Sequence, residues 1–166
     1  MKTIKELLVE EMRDTYSSET QILKGLEKMA AAATSPNLKQ AFQTHQQETK
    51  KQVERLTQAF KILNASPEGN TCEATQGLIA EADEVMGENL PPELLDVALV
   101  IAAQKVEHYE IAAYGSLSAI SKGCGEGEIA TLLEATLSEE KATDEKLTKL
   151  AESEVNKKAF ATSGAS

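Results

Sequence analysis

Tryptophan is absent from this chain of 166 residues, and three tyrosines and three phenylalanines are its only aromatic side chains. Its core must come largely from aliphatic residues and alanine. The four prolines and most of the nine glycines fall outside the stretches of apolar periodicity, which favours an all-α protein. Two cysteines, Cys72 and Cys124, are too few for a disulfide framework and lack metal-ligand spacing. They are expected as free thiols in a reducing cytoplasm. Positive charge is also scarce: the formal net charge is −10 and the pI is near 4.8. That excludes a nucleic-acid backbone or an anionic membrane as partner, since both need a basic footprint. No apolar run is long enough to span a bilayer, and the opening MKTIKELLVEEM lacks the unbroken apolar core of a signal peptide, so a cytoplasmic protein is expected. The length suits one domain, placed at 1–156 with a flexible C-terminal tail at 157–166.

What the chain does have is helical periodicity. Ile4, Leu8, Met12, Ile22, Leu26 and Met29 recur at steps of three, four or their sums, the stripe of an amphipathic helix over 3–33. ATSPN then stops it, with Ser35 as N-cap and Pro36 at the first position of the next helix. The second stripe runs Leu38, Phe42, Val53, Leu56, Phe60 and Leu63, and so short a turn makes these two helices antiparallel neighbours. The stretch 64–92 is far longer than a hairpin needs. Within it Leu78, Ile79, Ala82, Val85 and Met86 mark one short outer helix, whose leftover apolar surface is the first place to look for an interface. A third long helix is expected over 92–121. KGCGEGE breaks it, and a fourth runs 128–156. At 1.5 Å per residue each long helix spans roughly 40–47 Å, a length the 64–92 connection can traverse. Two hairpins joined by one crossover make the ferritin-like variant of the four-helix bundle.

The core-facing lines are not wholly apolar. On the first helix the line through Leu8 and Met12 reaches Glu19. On the second, Phe42, His45, Thr49, Gln52 and Leu56 share a line, with Glu48 beside it. The third carries Ala103, Glu107, Glu110, Tyr114 and Leu117, and the fourth Leu137, Glu140, Asp144 and Leu147. Each long helix thus sets one or two carboxylates on its apolar face near its midpoint, and in a bundle of near-equal rods those midpoints meet. Gathering such charges without cations or shared protons costs many kcal/mol. Hard oxygen ligands with one imidazole suit iron or manganese. Glutamates can bridge two ions about 3.5–4 Å apart, and Glu107 and Glu110, three apart, face the same way. His108 points about 100° from Glu107 and is read as outward. Tyr114 and Gln52 are expected to support the ligands by hydrogen bonding.

DTYSSETQ (14–21), AFQTHQQETKKQVERL (41–56), AAQKVEHYEIAAYGSL (102–117) and LEATLSEEKATDEKL (133–147) together resemble the bacterial YciE/YciF stress-protein family over nearly the whole chain. The resemblance implies a ferritin-like bundle, commonly a homodimer, with a potential rubrerythrin-like dimetal centre. It places Glu19, Glu48, Glu107, Glu110 and Glu140 in the carboxylate slots. The superfamily pattern puts Glu-x-x-His on helices two and four. Here Glu48 is followed by Lys51, with His45 three places before it, and Glu140 is followed by Thr143 and then Asp144. The expected metal set is therefore Glu19, His45, Glu48, Glu107, Glu110, Glu140 and Asp144. It would hold two divalent ions, iron or manganese, that react with dioxygen or peroxide. The alternative is a non-enzymatic dimeric scaffold that keeps the acidic core as a remnant.

Overall fold

The computed structural model describes residues 1–163, which form helices joined by short turns and one long crossover. Helix α1 spans Ile4–Ala32, α2 Pro36–Ile62, α3 Glu73–Gly87, α4 Pro92–Gly123 and α5 Gly127–Leu150. A π-helical turn, Ala151–Val155, carries α5 on into α6, Asn156–Ser163. Helix α1 starts with a capping box: Thr3 Oγ1 accepts from the Glu6 amide, and the Glu6 carboxylate accepts from the Thr3 amide. Ser35 caps α2 by accepting from the Leu38 amide, with Pro36 at its first position, as the sequence predicts. Gly125 takes φ +76° in the turn between α4 and α5, a left-handed conformation that glycine adopts without steric cost.

Two apolar clusters fix the directions of the long helices. One gathers Leu26 and Met29 near the end of α1, Leu38 and Phe42 near the start of α2, Leu99 and Val100 near the start of α4, and Leu147 near the end of α5. The other gathers Leu8 and Met12, Leu56 and Phe60, Tyr114 and Leu117, and Ile129 and Leu133. Helices α1 and α5 therefore run one way and α2 and α4 the other. The 63–91 connection traverses the bundle, and the ferritin-like crossover follows from the packing. Helix α3 lies along this crossover against α1 and α4. Its Thr75 is buried against Ser18, oxygen to oxygen 2.6 Å. Ion pairs Lys28–Asp83 and Lys105–Glu81 tie its outer edge to α1 and α4. Leu78, Ile79 and Met86 are half-buried and line the space beneath α3.

One buried carboxylate holds the α1–α2 turn. Asp96 of α4 accepts from the Thr34 amide (2.7 Å), the Thr34 hydroxyl (2.6 Å) and the Ser35 amide (2.8 Å). Hydrogen bonds to a charged acceptor contribute about 1.5–3 kcal/mol each. Asp96→Ala strands two backbone donors and is expected to cost about 3 kcal/mol, read as a lower urea midpoint at unchanged m-value.

The expected tail from 157 is instead helical to Ser163, and residues 164–166 lie outside the described part. Val155 and Ala159 are buried, and α6 packs on α4, so tertiary contact sustains the helix where apolar periodicity fades. The π turn also aims Glu154 at the start of α2, where it accepts from Ser35 Oγ (2.8 Å) and Asn37 Nδ2 (2.6 Å). A negative charge at a helix N-terminus is stabilising. Contacts from Lys158, Asn37 and Ser35 hold that carboxyl down at about 2.

Candidate metal centre

Between the two apolar clusters lies a polar layer to which all four long helices contribute. Helix α1 supplies Glu19, between Met12 and Ile22. Helix α2 supplies His45, Thr49 and Gln52, between Phe42 and Leu56. Helix α4 supplies Glu107 and Glu110, between Ala103 and Tyr114, and α5 supplies Thr136, Glu140 and Thr143, between Leu133 and Leu147. Glu19 and Glu140 are wholly buried, and Glu107 and Glu110 are 1 % exposed. Steps of three and four along each helix put these residues on the same stripe as the leucines, so the folding that buries the leucines buries the carboxylates too.

Ligand atoms of His45, Glu107, Glu110 and Glu140 all lie within 4.8 Å of one another, and the group can hold a metal ion. His45 Nε2 stands 3.1 Å from Glu107 Oε1 and 3.7 Å from Glu140 Oε2, without the geometry of a hydrogen bond to either. Its Nδ1 faces the other way, 3.5 Å from Thr143 Oγ1 and 3.6 Å from Glu48 Oε2. Tyr114 donates its hydroxyl to Glu19 Oε1, and Gln52 Nε2 donates to Glu140 Oε1 and, at 3.1 Å, to Glu139 Oε2. Arg55 grips both oxygens of Glu139, at 2.6 and 2.7 Å.

Five carboxylate oxygens of the layer nevertheless make no hydrogen bond: Glu19 Oε2, Glu107 Oε2, both oxygens of Glu110 and Glu140 Oε2. Each such buried acceptor costs roughly 1–3 kcal/mol, more where it is charged. Protonation is the response available to the chain alone. Burial pushes Glu19 up to about 7, though the Tyr114 hydrogen bond opposes it. Burial pushes Glu140 up to about 10. Glu110 is raised well above the usual carboxylate range, first by burial and then by the charges of Glu19, Glu140 and Glu107. Burial works against a charged His45, but the carboxylates of Glu107, Glu48 and Glu140 outweigh it and hold the imidazole well above its ordinary value. The donor set, four buried carboxyl groups and one imidazole, fits a hard divalent cation that displaces their protons.

The expected set divides in two. His45, Glu107, Glu110 and Glu140 converge; Glu19 is buried in the same layer, and Tyr114 and Gln52 hydrogen-bond Glu19 and Glu140. Glu48 does not reach the layer: its side chain is 34 % exposed, and its contact is the outer nitrogen of His45, which lowers its carboxyl below the usual range. Asp144 also stands apart, accepting from Gln104 Nε2 at 3.1 Å and lying 3.5 Å from the exposed His108. One residue's step along a helix turns a side chain about 100°, so Asp144, next to the inward Thr143, leaves the bundle axis. The sequence reading missed three participants. Thr143 occupies the slot where Glu-x-x-His would put a second histidine, and touches His45. Arg55 and Glu139 anchor Gln52. Arg55 follows Gln52 by three and Glu139 precedes Glu140, but nothing in the string singles them out from other surface charges.

This is a ferritin-like four-helix bundle with an acidic, metal-capable core. Residues 3–160 match a family described as a domain of unknown function (DUF892), and the chain belongs to that family. It is 47 % identical to Protein YciF of Escherichia coli (strain K12) over 160 residues, 96 % of each chain. The crystal structure of the E. coli stress protein YciF superposes with a TM-score of 0.91 at 46 % identity, covering 95 % of this chain and 99 % of that one. YcfI from Rhodopseudomonas palustris gives a TM-score of 0.86 at 47 % identity, over 89 % and 94 %.

Proposed function

We propose that this chain is a ferritin-like stress protein whose core holds two divalent cations, iron or manganese, and reacts there with dioxygen or peroxide. The observation that carries this reading is the set of buried carboxylate oxygens left without hydrogen bonds around His45 Nε2. Glu107, Glu110, Glu140, Glu19 and His45 would hold the ions. Glu48 orients His45 from outside, and Asp144 has no place in the set. When bound, the ions would supply the electrons that reduce the oxidant. The chain's own part is positional. Tyr114 fixes Glu19, the Arg55–Glu139–Gln52 series fixes Glu140, and the two apolar clusters keep bulk water out. Uptake must displace protons from Glu19, Glu110, Glu140 and His45, so affinity rises with pH. In the described residues no helix is long and apolar enough to cross a membrane. A homodimer in the cytoplasm belongs to the same proposal.

Protein stripped with a chelator, then given ferrous or manganous ion under argon and desalted, is expected to keep two equivalents per chain by elemental analysis. Retention of none by the intact chain at neutral pH ends the reading. The alternative, a dimeric scaffold without catalysis, is favoured by one feature: protonated Glu110 and Glu140 make the core tolerable with no ion at all. In that case Glu107→Gln with Glu110→Gln leaves the biological effect intact.

A further inference from the structure

The space beneath α3 separates the crossover helix from α1 and α4. Its walls are almost wholly apolar, with Ile22, Leu26, Ile79, Met86 and Ala103 among the residues lining it, and its volume is about 20 Å³. Two acidic residues bound it. Asp83 stands at the exposed edge, where Lys28 already takes both its oxygens at 2.8 and 2.7 Å. Glu107, 1 % exposed and one of the converging ligands, lies at the buried end. Gly25 of α1 contributes to the wall as well. A methyl group added there would meet Ile79 at 3.5 and 3.6 Å, ordinary contact distances, so alanine fits. Glycine inside a helix is destabilising relative to alanine. The chain thus keeps the less stable residue where its missing methyl leaves the space open.

A volume of this size takes about one water-sized sphere, but a water also needs two to four polar partners, and apolar cavities stay dry and accept apolar gases. Here the one uncommitted polar group is Glu107. We propose that the space under α3 is a gas-binding pocket, sized for a single dioxygen molecule, that delivers it to the Glu107 side of the core. The delivery half of this inference rests on the metal-centre reading, whereas the pocket itself does not.

Xenon under pressure is the probe. Anomalous diffraction from xenon-pressurised crystals is expected to place one xenon between Gly25, Ile79 and Ala103, and Gly25→Ala, which fills the space from the wall, is expected to abolish it. Ile79→Phe, which fills it from α3, should do the same if the alanine variant fails to crystallise. An unoccupied space in the wild-type protein overturns the pocket. For delivery, the iron-loaded protein is mixed with dioxygen, two ferrous ions giving one electron each and dioxygen taking two protons to leave hydrogen peroxide. The second-order rate is expected to fall at least tenfold in Gly25→Ala while iron stoichiometry stays the same. An unchanged rate overturns delivery. If xenon seats but the iron-loaded wild type does not react with dioxygen, the pocket stands and the oxidant reading of the centre falls.

Discussion

Ferrous or manganous ion added to the stripped protein at neutral pH is expected to raise its thermal midpoint by roughly 10 °C. A ligand present at a thousandfold excess over its dissociation constant stabilises the folded state by about 4 kcal/mol. For a chain of this size each kcal/mol moves the midpoint by about 2–4 °C. The double variant Glu107→Gln, Glu110→Gln is expected to behave in the opposite way on both counts. Stripped of metal, it should melt above the wild type, because two buried carboxyl groups with unsatisfied oxygens are replaced by neutral amides, which relieves the crowding of like charge around Glu110. With metal it should gain almost nothing, because the residues that face His45 and Glu140 from α4 no longer offer carboxylates. Differential scanning calorimetry on four samples, each protein with and without ion, measures all of this. A double variant that keeps the full metal-dependent rise would place the ion elsewhere in the molecule.

The second large effect is on pH, in the metal-free protein. The folded Glu19 carboxyl is raised from 4.5 to about 7, so between those values the folded chain keeps a proton that the unfolded chain has released. The stability contributed by a raised group is present below its unfolded pKa and is lost as pH rises through its folded one. From the shift in Glu19 alone the loss is about 3 kcal/mol, at 1.36 kcal/mol per pKa unit. Glu140, raised to about 10, extends the same fall into alkali, and Glu110 acts in the same direction. His45 agrees in sign, since its folded pKa lies above its ordinary 6.5 and its contribution fades as pH climbs past that folded value. Urea unfolding in chelator at pH 5, 6, 7 and 8 should therefore show the midpoint falling steadily, with a shallower slope in Glu19→Gln. With metal bound the trend should invert, because the ion needs the deprotonated ligands. A metal-free protein that is most stable at pH 8 would contradict the picture of a core holding protons.

Much of this was legible beforehand because helices project side chains with a fixed period. The step from Leu8 through Met12 to Glu19, or from Ala103 through Glu107 and Glu110 to Tyr114, is a statement about angle, and angle decides burial once a stripe faces a core. The caps at Ser35 and Pro36 are equally local. Asp144 shows where that reasoning breaks. On a straight line of threes and fours it continues from Glu140, yet at a helix crossing the neighbouring Thr143 takes the inward position and Asp144 turns to Gln104. Glu48 fails for a similar reason: the neighbouring Thr49 takes the buried position, and Glu48 is left 34 % exposed beside the outer nitrogen of His45. Lines drawn on a cylinder do not say which of two flanking positions the partner helix will cover.

The sequence by itself settled the helical class, the two hairpins and the midpoint height of the carboxylates, because each depends on periodicity and on local caps, and its four core-lining segments carried the family likeness. Only the tertiary structure decided which nitrogen of His45 turns inward, that Thr143 and the Arg55–Glu139 pair support the layer, that α3 covers an apolar space bordered by Glu107, and that the chain stays helical through a π turn to Ser163. Those outcomes depend on contacts between residues dozens of positions apart. Packing distance, which no local repeat encodes, determines them.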